Sequence, residues 1–457
     1  MTTLALTEEL WTQLVGTLDL PVETAGFILA GTAIDGEGVT LLGRAIYWVS
    51  EDGYEVRESN RLVIGSRAYV PALGVAAEDG AVPIFFHSHP GSAPAPSRYD
   101  DEVDQGLRDP AQIRTGQELY GSLILGGRPG AESFSGRVFR ADRPVPIDRL
   151  RVVGARFRLL TADLADPDAA RFDRQIRAFG ARGQAMLADL HVGVVGVGGT
   201  GSTVSEQLTR LGVGHITLID DDVLTESNLT RIHESAAADI DRPKVEIAAA
   251  AAERIGTGAT VEPLSARLTE LAAARRLREC DIVFGCTDDN GGRAVLSRLS
   301  YWYLIPVIDT AFLVDTEGEA VRGLFGRVTT VYPGAPCLFC RGRIDPSQLA
   351  AEALPSAERE RLAGEGYVPG LGEPDPSVGS YTTLIGALAV SEMLDRLFGF
   401  GAEPEPPSEL LVRLHDRTIS ALHHDPQPGH YCIDPATWGR GDEVPFLGQL
   451  WADSDNE

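Results

Sequence analysis

The segment His191–Gly201, HVGVVGVGGTG, constrains this chain more than any other. An apolar strand runs into glycines at 196, 198, 199 and 201, and a helical pattern over Ser202–Leu211 follows at once. Glycines let the backbone turn tightly and approach phosphate, and the helix beyond offers unpaired amides to an anion. A strand, turn and helix in this order belong to a parallel sheet with helical crossovers. The neighbouring sequence agrees. His215–Asp220 reads as the next strand, Lys244–Ile255 as an alanine-rich helix, and Asp281–Cys286 and Leu304–Thr310 as further strands,. Val321–Tyr332 and Leu410–Leu422 read as antiparallel ribbons.

At 457 residues the chain exceeds what one core holds comfortably, so an α/β fold in two domains is expected,. Residues 1–145 read as a mixed α/β domain, 146–167 as a Pro-rich acidic linker, 168–432 as a Rossmann-like doubly wound domain, and 433–457 as an acidic tail,. A net charge of −26 argues against nucleic-acid or anionic-membrane partners, because neutralising phosphate needs basic surface,. No apolar run approaches the ~18–20 residues that span a bilayer. The start, MTTLALTEELWTQL, lacks a basic region followed by an apolar block,. Five cysteines are too few and odd in number for a disulfide framework, so a cytoplasmic protein is expected,. Lys244 is the only lysine in the chain. Wholesale arginine usage is most simply compositional, yet the lone ammonium is suited to act as a compact charge on phosphate.

The first domain carries a second constellation in FFHSHPGSAPAPSRYDDEVD. His87 and His89, two apart at a strand end, point to one face, and Asp100 adds a carboxylate after a stiff proline-rich loop,. Two imidazoles and one carboxylate form a catalytic zinc set that leaves a fourth position for water, whose pKa zinc lowers to about 7. A base is still needed to handle the proton, and Glu23 upstream in PVETAGFILAG is the candidate,. With His-Ser-His-Pro90, Ser97 and Asp100, the pattern resembles the JAMM (MPN-type, JAB-domain) metallopeptidases over roughly residues 1–145. The resemblance implies zinc-dependent peptidase or isopeptidase action at the C-terminal glycine of a ubiquitin-like protein. Glu23 would then be general acid/base, and Ser97 would help stabilise the tetrahedral intermediate.

Taken alone, the glycine turn with Asp220, 24 residues beyond Gly196, serves a dinucleotide oxidoreductase equally well,. The residues that follow are Asp222, Asn228 and Arg231, then Lys244 at the next helix start and Asp288 after a later strand. Cations suit a triphosphate and a strand-end carboxylate suits Mg²⁺, neither of which hydride transfer requires. This half resembles the ThiF/MoeB adenylyltransferases, the core of ubiquitin-activating enzymes. Gly-x-Gly-Gly-x-Gly, Asp-x-Asp, Asn-Leu-x-Arg, Pro-Lys-Val and Cys-Thr-Asp occur in order, with Arg171-Phe-Asp-Arg174-Gln-Ile upstream. The resemblance implies that Asp220 and Asp222 hold the ribose side, Asn228, Arg231 and Lys244 the phosphates, and Asp288 the Mg²⁺. Arg174 would reach the ATP of an opposite subunit, which implies a homodimer.

Relatives that pass the acyl group to sulfur carry a cysteine in the crossing loop, whereas Ala350–Ser380 contains none. Either the adenylate goes directly to another protein, such as a conjugating enzyme or sulfur-transfer partner, or a hydroxyl such as Ser377 or Ser380 substitutes. Cys337-x-x-Cys340 matches half of the family's zinc knuckle, and His430 with Cys432 offers a Cys₃His completion,. The expected protein is bifunctional, adenylating a ubiquitin-like modifier with ATP and processing or removing it with zinc. Activation of a sulfur-carrier protein for biosynthesis, or a non-catalytic scaffold, are the alternatives.

Overall fold

The computed structural model describes residues 1–36, 38–140, 143–161, 163–317, 320–365, 376–401, 405–449 and 451. The chain divides into two compact units, one of Met1–Asp163 with Trp302–Leu304 and Pro435–Phe446, the other of Leu164–Tyr301, Ile305–Asp434 and the end of the chain.

The first unit follows from apolar runs that are buried on both faces. Its strands are β1 (Thr2–Thr7), β2 (Ala25–Asp35), β3 (Gly38–Trp48), β4 (Tyr54–Arg57), β5 (Leu62–Ile64), β6 (Val82–Pro90), β7 (Leu119–Arg128), β8 (Ala131–Arg140), β9 (Arg143–Pro146), β10 (Arg149–Val153) and β11 (Phe157–Thr161). Nine of them form one sheet in the order β11-β10-β1-β3-β2-β6-β7-β8-β9, and β4 pairs with β5. Side chains alternate across the pleat. Ile28, Ala30, Ile84 and Phe86 face a core completed by Leu10, Trp11 and Leu14 of α1 (Glu8–Gly16). Phe27, Leu29 and Phe85 face a second core with Ala72 and Leu73 of α2 (Ser66–Glu78) and Leu107 of α3 (Arg98–Thr115). Burial on both faces explains why these strands read as unbroken apolar runs.

Two expectations are corrected here. Much of the expected linker 146–167 is sheet, because β10 pairs in parallel with β1 and antiparallel with β11. Arg149 and Arg151 alternate with Leu150 and Val152, and both arginines are buried, so a polar pattern concealed a core strand. Part of the expected acidic tail is also built in. Asp442 accepts from the Ile34 amide (2.8 Å) and the Tyr303 hydroxyl (2.7 Å), and its own amide donates to the Thr32 carbonyl. Residues 450 and 452–457 of that tail lie outside the described residues.

The second unit contains β12 (His191–Val195), β13 (His215–Ile219), β14 (Thr260–Leu264), β15 (Ile282–Gly285), β16 (Val307–Glu317), β17 (Ala320–Val331), β18 (Glu409–Arg413) and β19 (Thr418–Ala421), in the order β14-β13-β12-β15-β16-β17-β18-β19. The first five run parallel and the last three add antiparallel. Its helices are α4 (Asp173–Asp189), α5 (Gly199–Leu211), α6 (Lys244–Ile255), α7 (Leu271–Arg276), α8 (Asn290–Trp302), α9 (Pro346–Glu352), α10 (Ser356–Glu365) and α11 (Gly379–Phe398). Strand order reverses between β12 and β15, which opens the crevice at the carboxyl ends where open α/β sheets bind ligands. Strand β14 escaped the sequence reading, since TVEPL carries a proline and faces solvent on an edge,. Among the described residues no helix is long and apolar enough to cross a membrane.

A buried ion-pair cluster ties the antiparallel ribbon to the segment after β17. Glu409 Oε2 accepts from Arg341 Nη1 (3.2 Å) and Thr329 Oγ1 (3.2 Å), and Oε1 from Arg343. Glu409 and Arg341 side chains are both fully buried. Removing one partner leaves an uncompensated charge. Glu409→Ala is therefore expected to lower the stability of this unit by about 3–5 kcal/mol in denaturant titration, whereas Glu358→Ala, which removes only a solvent-screened pair with Arg361, should leave it nearly unchanged,.

Candidate functional sites

The glycine turn is shaped by approaches that no side chain tolerates. Gly196 has φ +83°, and a Cβ there would lie 2.7 Å from the Cys286 carbonyl; at Gly201 a Cβ would lie 1.8 Å from the Gly196 carbonyl oxygen. Gly198 caps α5 and Gly199 begins it. Asp220, just beyond β13, accepts from the Val197 amide (2.6 Å) and the Asp222 amide (2.9 Å). Burial raises the Asp220 carboxyl despite the opposing charge of Lys244. The Lys244 ammonium donates to Asp222 Oδ2 at 2.6 Å, with Lys244 only 8% exposed.

Asn228 is buried and its side-chain oxygen accepts from the Thr225 amide (3.3 Å), closing the turn that presents Arg231. Arg231 Nη1 donates to the Ser227 carbonyl (3.1 Å). The glycine turn, Asp220, Asp222 and Lys244 are thus linked in one chain of contacts at the carboxyl end of β13. Two others sit differently. Arg174 is exposed on the first turn of α4. Asp288 is exposed after β15 and joins no converging donor group among the described residues.

In the first unit the β2–β6 register builds a separate site. Ala25 opposes His87, so continuing the antiparallel pairing places Glu23 across from His89. The Ser88 amide to the Thr24 carbonyl (3.0 Å) and the Thr24 amide to Ser88 Oγ (3.1 Å) hold that extension. His87 Nε2 lies 3.1 Å from His89 Nε2 and 3.1 Å from Asp100 Oδ1. Two ring nitrogens and a carboxylate oxygen converging this closely fit a cation, since tetrahedral ligands at ~2.0–2.1 Å stand about 3.3 Å apart. His89 Nδ1 faces the Ala93 carbonyl (3.2 Å), which fixes the ring proton there and leaves Nε2 for a metal,.

Glu23, 5% exposed, lies 3.8 Å from His89 Nε2, and burial pushes its carboxyl up to about 7. For Asp100, burial is outweighed by His87 and by hydrogen bonds from Ser97, so the carboxyl falls below its usual range. Ser97 caps α3, its Oγ accepting from the Asp100 amide (3.3 Å) while its amide donates to Asp100 Oδ2 (2.6 Å). The serine thus holds a ligand in place, whatever else it does.

The sequence reading missed the supports of this site. Arg57 donates from Nε to the Glu23 carbonyl (3.1 Å) and from Nη2 to Thr24 Oγ1 (2.9 Å). Buried Asp104 accepts from Tyr120, Ser122 and Arg137, pinning the helix that carries Asp100 to β7 and β8. An Asp four residues after Asp100 is one helical turn on, and that spacing was the available signal.

The second cluster fits a tetrahedral metal. His430 Nδ1 lies 3.4, 3.5 and 3.4 Å from the sulfurs of Cys337, Cys340 and Cys432, and Cys340 Sγ is 3.7 Å from Cys432 Sγ. Ligand arms of 2.0–2.3 Å give tetrahedral edges of about 3.5–3.8 Å. The hydrogen bond between Cys337 and Cys432 lowers the Cys337 thiol and raises that of Cys432, as expected where two thiols share one proton.

Residues 172–425 match the ThiF family. The molybdopterin-synthase adenylyltransferase of Escherichia coli is 32% identical over 244 residues, covering 52% of this chain and 86% of that protein. An adenylyltransferase and sulfurtransferase of Yarrowia lipolytica is 31% identical over 250 residues, 54% of this chain and 56% of that protein. The SAMP-activating enzyme E1 of Haloferax volcanii is 32% identical over 178 residues, 38% and 63% respectively. The family match separates the glycine turn from the oxidoreductases that share its spacing. It leaves residues 1–171 outside, so the metallopeptidase reading stands on its residues and geometry alone.

Metal analysis of protein purified with zinc is expected to return about two ions per chain, and His87→Ala and Cys432→Ala should each return about one.

Proposed function

This chain belongs to the ThiF family, and from that premise we propose that its second unit uses MgATP to adenylate the C-terminal glycine of a small carrier protein, ubiquitin-like or sulfur-carrying. The observation that carries this reading is the convergence of the glycine turn, Asp220 and the sole lysine at one end of the sheet. The glycine turn receives phosphate, and Asp220, already accepting from the turn, grips the ribose side with Asp222. Lys244 rests on Asp222 and exchanges that carboxylate for a phosphate when ATP arrives. Arg231 and Asn228 flank the phosphates. The carrier's carboxylate attacks the α-phosphorus, pyrophosphate leaves, and an acyl-adenylate remains. Positioning and charge neutralisation supply most of the rate in such a reaction.

Asp288 is assigned to Mg²⁺, which when bound neutralises triphosphate charge. Arg174 is assigned to the ATP of a second copy, making a homodimer part of the proposal. The Cys₃His set would hold a structural zinc. The curated relatives named for molybdopterin synthase and sulfur transfer favour a sulfur-carrier substrate over a conjugated modifier.

A second reading concerns the first unit, favoured by His87, His89, Asp100 and Glu23 meeting at one strand end. We propose that these residues form a zinc-dependent peptidase site that trims or releases the same kind of tail. His87, His89 and Asp100 would hold the ion, which when bound supplies a polarised water. Glu23, raised toward neutrality by burial, is suited to accept and return a proton,.

With a recombinant carrier ending in Gly-Gly, ATP–pyrophosphate exchange is expected, and Lys244→Ala should lower it about 100- to 1,000-fold. Exchange that persists in Asp288→Ala would remove that residue from Mg²⁺ binding. Cleavage of a carrier fusion at its glycine terminus should fall about 100-fold or more in Glu23→Gln, and unchanged cleavage would remove Glu23 from its role.

A further inference from the structure

An acyl-adenylate needs an acceptor, and four of the five cysteines are buried or gathered in one cluster. Cys280 is fully buried on the strand side, and Cys337, Cys340 and Cys432 share one cluster. Cys286 is half-buried, its thiol turned toward Thr310 and Asp309 and raised to about 12. A hydroxyl with a base stands nearby instead. Thr383 Oγ1 lies 2.8 Å from His233 Nε2, and His233 Nδ1 lies 3.2 Å from Glu206 Oε2. A carboxylate can only accept, so Glu206 fixes the imidazole proton on Nδ1 and leaves Nε2 facing the hydroxyl. The Thr383 hydroxyl also lies 2.7 Å from the Gly379 carbonyl, so its proton has two acceptors and reaches the imidazole by rotation about one bond. The His233 amide is held by Ser202 Oγ (3.0 Å), which ties the base to α5.

The location matters as much as the distances. A Cβ on Gly199 would lie 2.8 Å from Thr382 Oγ1, and one on Gly379 would lie 2.8 Å from the Thr230 carbonyl, so the first turns of α11 pack on the glycine turn and on the segment bearing Arg231. Nucleophile, base and orienting carboxylate within hydrogen-bond reach are the arrangement that activates a hydroxyl.

We propose that Thr383, His233 and Glu206 form an acyl relay that takes the activated glycine as an oxygen ester, a role that rests on the adenylation reading because the acyl donor is its product. Thr383 Oγ1 attacks the acyl carbon of the adenylate, forming a C–O bond while the bond from that carbon to the AMP oxygen breaks. AMP leaves with the electron pair, and the hydroxyl proton passes to His233 Nε2. An amine, thiolate or water then attacks the ester, and the threonine recovers its proton. Thr383 and His233 are the catalytic groups; Glu206 is a positioning residue.

The test gives the full chain synthetic N-acetyl-diglycyl adenylate and maps the product by mass spectrometry. One acetyl-diglycyl group on Thr383, released by hydroxylamine, is expected; Thr383→Ser should retain it and Thr383→Val should lose it. His233→Ala should slow ester formation about 100-fold, and Glu206→Asp should recover part of the rate lost in Glu206→Ala. No label, label spread over other residues, or an unchanged rate in His233→Ala overturns the relay. Pyrophosphate exchange by the wild-type chain reports on adenylation separately. Exchange without Thr383 labelling refutes the relay alone, and labelling without exchange refutes adenylation and leaves the relay without its donor.

Discussion

The hydrogen bond from the Val197 amide to Asp220 Oδ2 joins the glycine turn to the end of the neighbouring strand. It is an amide–carboxylate bond at a place where burial disfavours the charge, so the carboxylate keeps its position only while the turn keeps its shape,. The turn in turn needs glycine at 196 and 201, where a Cβ would meet backbone atoms. From that fixed corner, Asp220 holds the Asp222 amide, Asp222 holds Lys244, and Lys244 begins α6. One constrained bend therefore sets the geometry of a charge network spread over nearly fifty residues of sequence.

The first unit reaches its site by a different route. Strand register, rather than a turn, brings Glu23 across from His89, and helix capping by Ser97 holds Asp100. Its donors converge, His87 Nε2 standing 3.1 Å from a second imidazole nitrogen and 3.1 Å from a carboxylate oxygen. A cation satisfies all three, which is the physical content of the metal assignment. The buried Asp104 cluster supplies rigidity beneath it.

Residues close in sequence and chemically distinctive were the ones legible beforehand. The glycines, the His-x-His pair, the Cys-x-x-Cys pair and the lone lysine each announce a local geometry. Strand β10 was not legible, because Arg149 and Arg151 look like surface residues until their burial is seen. Asp442 looked like part of a solvated tail, yet it accepts a hydrogen bond from the Ile34 amide near the end of β2, more than four hundred residues away. Thr383, His233 and Glu206 carry no motif at all. Their meeting depends on α5, α11 and the loop after β13 packing together, and no periodicity within one segment encodes that.

By itself, the sequence determined the strand–turn–helix at the glycine turn, the donor types of both side-chain clusters and the absence of cysteine from Ala350–Ser380. These are properties of residue identity and short spacing, fixed by backbone freedom and donor chemistry. The tertiary structure decided which carboxylate faces which imidazole, that Lys244 rests on Asp222, and that a threonine meets a histidine beside the glycine turn. Such pairings join segments tens to more than a hundred residues apart. Only sheet register and helix packing can choose them, because the energy that selects one partner over another lies in burial across the whole unit.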